Sequence, residues 1–470
     1  MESMRILLVN PQMAKGWRPY TLPPVGLCYL KAGLVKAGFK DVKVLDASDF
    51  SIGKIRSYIK DYKPDVVGVT CFTEARHNSL DVARVAKEVN SSVTTMLGGV
   101  HPTFMYKQIL ENYGFVDIVV IGEGEETIVE LAKSLSTTTF EAPRGLAFRG
   151  LEGECQISGS REKIKNLDSL PFPDYSDLQL DRYKDTAGPI KDRPLAPIVT
   201  SRGCPFQCAY CSAKAMWGSW RHRSIQSVIE ELTYLVRDYG YDTFIIIDDI
   251  FSADAKRCEE LCNNIISNKL NIKWRIQTRT DAVTLSLLQL MKDAGCVGVG
   301  FGVESGSPLI LKNLNKREST EGIVQAFEWC HKVDLDATFN VIIGSPGETA
   351  ETLNETKDLI RKCRPPYVST ANLRIYPGTP LWNSSGYNES WFLDREETLF
   401  YTKAMDINEM YRHNAEFVLL QARLGGLKGY FDLYKLGLDT LERFPYKILR
   451  AMLGVWSWIK IIIGKGLRSI

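Results

Sequence analysis

Short β-branched runs alternate with amphipathic stretches through the first 133 residues. RILLVN (5–10), DVKVLD (41–46), VVGVT (66–70), TTMLGG (94–99) and DIVVIG (117–122) read as strands. Between them lie helical patterns such as GLCYLKAGLVKAG and NSLDVARVAKEV. Strand, helix, strand in this rhythm predicts a parallel sheet covered on both faces. Five such strands suit an α/β, doubly wound (flavodoxin-like) domain over residues 1–145. Its ligand should then sit beyond the carboxyl ends of the strands.

The rhythm breaks over residues 134–195, where STTTF, GLEGE and LPFPDY are rich in turn formers. Residues 146–195 read as a linker with a small hairpin. Alternation resumes with strands at PIVTS (197–201), TFIIID (243–248), KWRIQTR (273–279), GVGFGVE (298–304), DATFNVIIG (336–344) and STANLRI (369–375). Five helical segments separate them, from SVIEELTYLVRDYG to AETLNETKDLIRKC. Six units of this kind over 196–385 predict a partial (β/α)6 barrel. Residues 386–470 read as a helical C-terminal region.

Composition narrows the function only a little. The 470 residues suffice for two or three domains. With 58 Lys and Arg against 56 Asp and Glu, nothing in the charge implies a nucleic-acid partner. The apolar run at the N-terminus is short and reads as a first strand, not as a signal peptide. Eleven cysteines without such a signal point to the reducing cytoplasm and to free or metal-bound thiols. Cys28, Cys71, Cys155, Cys296, Cys330 and Cys363 are scattered and read as core or surface thiols. Cys258 and Cys262 share a helix face, but no second pair follows them.

Cys204, Cys208 and Cys211, in RGCPFQCAYC, follow a predicted strand at spacings of four and three. Zinc would want a fourth ligand, and no further Cys or His lies at finger spacing. A redox pair would leave Cys204 idle. A cubane iron–sulfur cluster held by three thiolates, with its fourth iron open, fits better.

This arrangement, C-x-x-x-C-x-x-C with an aromatic before the last cysteine, resembles the radical S-adenosylmethionine (SAM) enzymes. The resemblance implies that Cys204, Cys208 and Cys211 hold a [4Fe-4S] cluster whose open iron chelates SAM. It implies reductive cleavage of SAM to a 5′-deoxyadenosyl radical, with electrons from a donor such as ferredoxin or flavodoxin. Later strand ends match the same family. The resemblance assigns the SAM adenine to the Tyr210 backbone and to Ile342 and Gly344. It assigns the ammonium to Asp248 and Asp249, the carboxylate to Arg279, and the ribose or methionyl group to Glu304 and Ser305. RIYPGTPLW is similar to the segment that closes the barrel in those enzymes.

The chain to about residue 385 looks like the radical SAM enzymes that carry an N-terminal cobalamin-binding domain. The carrying segments are VTCFTEA (69–75), LGGVHPTF (97–104) and VVIGEGEET (119–127), each after a predicted strand. The resemblance places cobalamin against Thr70, Phe72, Gly98, Gly99, His101, Thr103, Gly122, Glu123, Gly124 and Glu125. Glycine at such positions lets backbone approach a large flat ligand. One departure stands out. The D-x-H-x-x-G motif is missing, and DASDFSIG follows the second strand without a histidine. Cobalamin would then be bound with no histidine beneath the cobalt.

The implied function is cobalamin-dependent methyl transfer to an unactivated carbon of a small-molecule or lipid substrate. Radical cyclisation, oxidation or carbon–carbon coupling without methyl transfer is the alternative, and a sensor without turnover is a third reading. From Gly425 onward the chain carries 8 Lys or Arg against 3 Asp or Glu. Trp456, Trp458, Ile461 and Ile462 beside lysines suit an interfacial helix, and the run is too short to span a bilayer. Peripheral membrane contact through 425–470 and a solvated helix packed on the barrel are both open at this point.

Overall fold

A computed structural model describes residues 4–13, 22–150, 152–184, 190–393 and 404–425. They divide into two compact units. The first takes in the described residues up to Thr278, with Gln289–Val297 and the stretch that begins at Ile375. The second takes in Arg279–Leu288, Gly298–Arg374 and the described residues after 403. Residues 426–470 lie outside the described part, and with them Trp456, Trp458, Ile461 and Ile462.

The first unit opens with β1 (Arg5–Asn10), β2 (Asp41–Asp46), β3 (Val66–Thr70), β4 (Thr94–Gly98) and β5 (Ile118–Val120). These are parallel neighbours in the order β2-β1-β3-β4-β5. Their helices are α1 (Val25–Lys36), α2 (Ile52–Tyr62), α3 (Arg76–Val89), α4 (Val100–Asn112) and α5 (Glu125–Leu135). Alternate strand residues feed two cores. Leu7, Val9, Val67, Val69 and Leu97 pack with Ile55, Ile59, Leu80 and Ile109. Ile6, Leu8, Val42, Val44 and Met96 pack with Leu27, Leu34, Ile128 and Leu131. Helices therefore bury both faces of the sheet, as a doubly wound domain requires.

The expected linker is partly sheet. β6 (Leu146–Arg149) and β7 (Cys155–Ile157) form the small hairpin and add antiparallel to β5, so the sheet has seven strands. The same unit continues with β8 (Ala196–Ile198), β9 (Ser201–Arg202), the helix α6 (Ala213–Trp217), β10 (Arg221–His222), α7 (Ile225–Tyr239), β11 (Thr243–Ile246), α8 (Ala255–Ser267) and β12 (Lys273–Thr278). β8, β11 and β12 are parallel, with β11 in the middle. β9 and β10 form a short antiparallel ribbon in which Arg202 faces Arg221. Local chemistry sets the helix ends. The Ser224 side chain caps the first turn of α7, and Gly240 in the left-handed region ends it.

β13 (Cys296–Glu304), which lies in the second unit from Gly298 on, is a parallel neighbour of β14 (Asp336–Ile343), and β14 of β15 (Tyr367–Asn372). Thr349 closes a capping box at the start of the helix Ala350–Cys363, and Asp406 does the same for Ile407–Leu424. All six expected strands of the second half are present, three in each unit. The YPGTP stretch belongs with the first unit, which takes in the chain from Ile375.

Candidate functional site

Gly203 turns the chain from β9 into the cysteine loop. Its φ is +86°, and a Cβ there would stand 2.8 Å from the Ser219 carbonyl oxygen. Only glycine meets both demands without strain. Two carboxylates hold the backbone leading into this turn. Asp249 accepts the Gly203 N–H at 3.0 Å. Asp248 accepts the Thr200 N–H at 2.7 Å, the Thr200 hydroxyl at 2.5 Å and the Ser201 hydroxyl at 2.6 Å. Burial raises both carboxyls, Asp249 to about 6. Asp248 is buried and spends its hydrogen bonds on the protein's own backbone and hydroxyls, because a buried carboxylate takes the nearest donors. Asp249, exposed as a residue, gives one oxygen to the Gly203 N–H.

Cys204, Cys208 and Cys211 are half-buried, as is Cys155, while the other seven cysteines are buried. The Cys208 carbonyl accepts the Cys211 N–H at 3.2 Å, and the Cys211 sulfur accepts the Ala213 N–H at 3.5 Å. Burial pushes the Cys211 thiol up to about 11. Three half-buried thiols in one loop, one already accepting a backbone N–H, fit a cubane with one thiolate per iron. Among the described residues, no three His, Cys, Asp or Glu gather as ligands of a single ion. Tyr210 is half-buried in the same loop.

The expected cobalamin residues fall at the carboxyl ends of β3, β4 and β5. Phe72 is 42% exposed. Gly99 has φ +109°, and a Cβ there would approach the Cys71 carbonyl oxygen to 3.1 Å. Thr103 stitches two of the loops, donating to the Gly99 carbonyl at 2.7 Å and accepting the Gly122 N–H at 3.0 Å. Thr70, Gly98, Gly122 and Gly124 are partly exposed. A bare glycine edge beside an exposed aromatic ring fits a large flat ligand.

Three expected cobalamin residues also bond within the protein. His101 is 2% exposed, with Nδ1 3.2 Å from the Thr73 hydroxyl and its ring edge-on to Phe392. Burial drops it to about 3, helped by the Arg76 charge. It is a neutral packing residue. Glu123 and Glu125 are ion-paired. Glu123 takes Arg202 at 2.8 Å, Arg221 at 3.1 Å and the Ile164 N–H at 2.9 Å, and Glu125 takes Arg202 at 2.5 Å. Arg202 and Arg221 hold this acidic turn beside the cysteine loop, and the sequence reading did not single them out. The available clue was charge: an acidic turn, GEGEE, with two basic segments, SRG and RHR, on the later strands.

The second unit holds the other expected SAM residues. Arg279 forks onto Asp281 at 2.7 and 2.8 Å and donates to the Lys316 carbonyl at 2.8 Å. Glu304 lies at a register shift of β13, with φ +71° and Lys316 at 3.5 Å. A non-glycine residue there is strained, a condition that clusters at functional sites. Ser305 is fully buried, bonded to Thr356 and to the Ser307 N–H, so it braces its own loop. Ile342 is half-buried. Gly344 has φ +89°, and a Cβ there would press on Met410.

Two family models match this chain: the B12 binding domain over residues 15–132 and the radical SAM superfamily over residues 198–360. An uncharacterized methyltransferase of Pyrococcus horikoshii is 32% identical over 97% of this chain and 98% of its own length. The anaerobic magnesium-protoporphyrin IX monomethyl ester cyclase of Rubrivivax gelatinosus is 31% identical over 87% of this chain and 75% of its own. A solved structure of OxsB, a cobalamin-dependent SAM radical enzyme with aqua-cobalamin and SAM bound, is similar in fold. It has a TM-score of 0.71 and 19% identity, covering 100% of this chain and 75% of that one. The chain belongs to the cobalamin-binding radical SAM enzymes. Its domains imply a [4Fe-4S] cluster, SAM and cobalamin as cofactors.

Proposed function

We propose that the protein transfers a methyl group to an unactivated carbon. The observation that carries this reading is that one compact unit holds both the three-cysteine loop and the glycine-lined sheet edge. The full-length likeness to a methyltransferase supports it. When bound, the cofactors would supply a carbon-centred radical and a transferable methyl group. The chain's own part is to bind, orient and exclude water. Cys204, Cys208 and Cys211 would hold the cluster. Thr70, Phe72, Gly98, Gly99, Thr103, Gly122 and Gly124 would line the cobalamin. Tyr210, Arg279, Glu304, Ser305, Ile342 and Gly344 remain the proposed SAM residues. Ring closure or carbon–carbon coupling without methyl transfer is a second reading, favoured by the likeness to the cyclase.

The substrate is proposed to be apolar, with a lipid at a membrane surface as the leading class. The basic, tryptophan-bearing stretch 425–470 is the reason. Among the described residues no helix is long and apolar enough to cross a membrane.

The test is an anaerobic incubation of the loaded enzyme with SAM, a low-potential reductant and a lipid extract. Methyl transfer through cobalamin yields both 5′-deoxyadenosine and S-adenosylhomocysteine. If 5′-deoxyadenosine forms without S-adenosylhomocysteine, the coupling reading replaces it.

A further inference from the structure

We propose that two clasps inside the first unit hold the cluster loop in register with the cobalamin edge. Their role is to position the two cofactors, not to bind either one. The inference rests on the cofactor assignment above.

The first clasp is ionic and buried. Arg202 and Arg221 face each other across the β9–β10 ribbon, and Arg202 is two residues before Cys204. Both guanidinium groups reach Glu123, which sits between Gly122 and Gly124 at the end of β5. Arg202 adds Glu125, and Arg221 adds the Ile164 carbonyl. The side chains of Arg202 and Glu123 are 8% and 2% exposed. Buried, hydrogen-bonded pairs of this kind are directional, and Arg presents a rigid fork. Lys163 braces the same place, donating to the Met216 carbonyl at 2.5 Å. Every oxygen of Glu123 is committed to protein, so the residue has no lone pair aimed at a ligand.

The second clasp is the strap that begins at Ile375. The Tyr376 hydroxyl donates to Glu74, two residues beyond Phe72 in the loop after β3. Gly378 has φ +81° and lies so close to the Phe104 ring that a Cβ would be 2.6 Å from it. The Leu381 N–H then donates to the Ala209 carbonyl at 2.8 Å, between Cys208 and Cys211. One short strap thus touches the loop after β3, the start of α4 and the middle of the cysteine loop. Together the clasps tie each of the three glycine-bearing or aromatic strand ends, at Glu74, Phe104 and Glu123, to the segment that carries the cysteines. Geometry between reacting groups is steep in its effect on rate, since small misplacement costs up to about 10²-fold.

Tyr376→Phe deletes one hydroxyl, and Glu123→Gln removes one charge at constant shape. Both are made in the full chain, loaded with cluster and cobalamin. Three quantities are read: iron content, corrinoid content, and the dipolar interaction between cob(II)alamin and the reduced cluster in pulsed EPR. The expected result is iron and corrinoid content equal to the parent's, with a broadened or shifted interspin distance in both variants. An unchanged distance in both overturns the proposal. So does loss of iron or corrinoid in Tyr376→Phe, because the strap would then serve loading and not register. A parent chain that binds no corrinoid is a separate outcome, which sinks the cofactor assignment itself.

Discussion

Gly203 is the residue on which the cysteine loop turns, and its neighbours leave no room for a side chain. Gly203→Ala forces a left-handed backbone on alanine and drives its Cβ into the Ser219 carbonyl. Strain of this type is worth on the order of 1–3 kcal/mol. Iron bound per chain should fall sharply in this variant, while far-ultraviolet circular dichroism stays that of the parent. His101 makes a second residue-scale prediction. Its folded value is about 3, below the ordinary 6.5, because burial and Arg76 disfavour the charged ring. A histidine with a depressed folded value supports the fold fully above pH 6.5. That support is lost as pH falls from 6.5 toward 3, on the order of 5 kcal/mol in all. His101→Gln should flatten the fall in thermal midpoint over that window. An unchanged pH slope would show that another group governs acid stability.

The same scale shows what the residues revealed in advance. The three cysteines were legible because their spacing is local and their number is wrong for zinc. Asp248, Asp249, Glu123 and Glu125 were legible as charged groups at strand ends, while their partners within the protein were not. Their partners Thr200, Gly203 and Arg202 lie 46 to 79 residues away in sequence. Only folding decides whether a carboxylate meets a ligand or an internal donor.

At the scale of elements, the strands of the first sheet match their hydrophobic runs to within one or two residues. Strong β-branched runs bounded by helices leave little freedom. The hairpin β6–β7 was visible as a hairpin, but its docking on β5 was not. Strands of four and three residues carry too little pattern to name their neighbour. The contacts of the strap after Ile375 were hidden for another reason. Its bonds to Glu74 and Ala209 are set by tertiary contacts. β12 supplies a test of packing. Trp274 is 1% exposed, and its indole N–H donates to the Ala294 carbonyl at 2.8 Å. Trp274→Ala should cost about 3–5 kcal/mol, the usual range for a buried aromatic, measured by denaturant unfolding. A cost near zero would show that β12 is not part of the unit's core.

At the scale of the whole molecule, the chain combines a helix-covered parallel sheet, a cysteine loop tied to its edge, and a second unit with three more parallel strands. The tail beyond Gly425 adds a net positive segment, and each basic residue near an anionic surface is worth about 1 kcal/mol. The full chain should therefore float with anionic vesicles at low salt, and a chain ending at Ala422 should not. Equal flotation would remove the reason for preferring a lipid substrate.

The central claim is that this one chain carries an open iron–sulfur cluster and cobalamin together. Anaerobic reconstitution with iron, sulfide and hydroxocobalamin tests it most directly, read by iron analysis and the visible spectrum. The expected result is about four irons per chain, the cubane stoichiometry, with a corrinoid spectrum that survives gel filtration. Replacing Cys204, Cys208 and Cys211 with alanine should abolish the iron and leave the corrinoid. Full iron in that triple variant, or no corrinoid in the parent chain, would contradict the account.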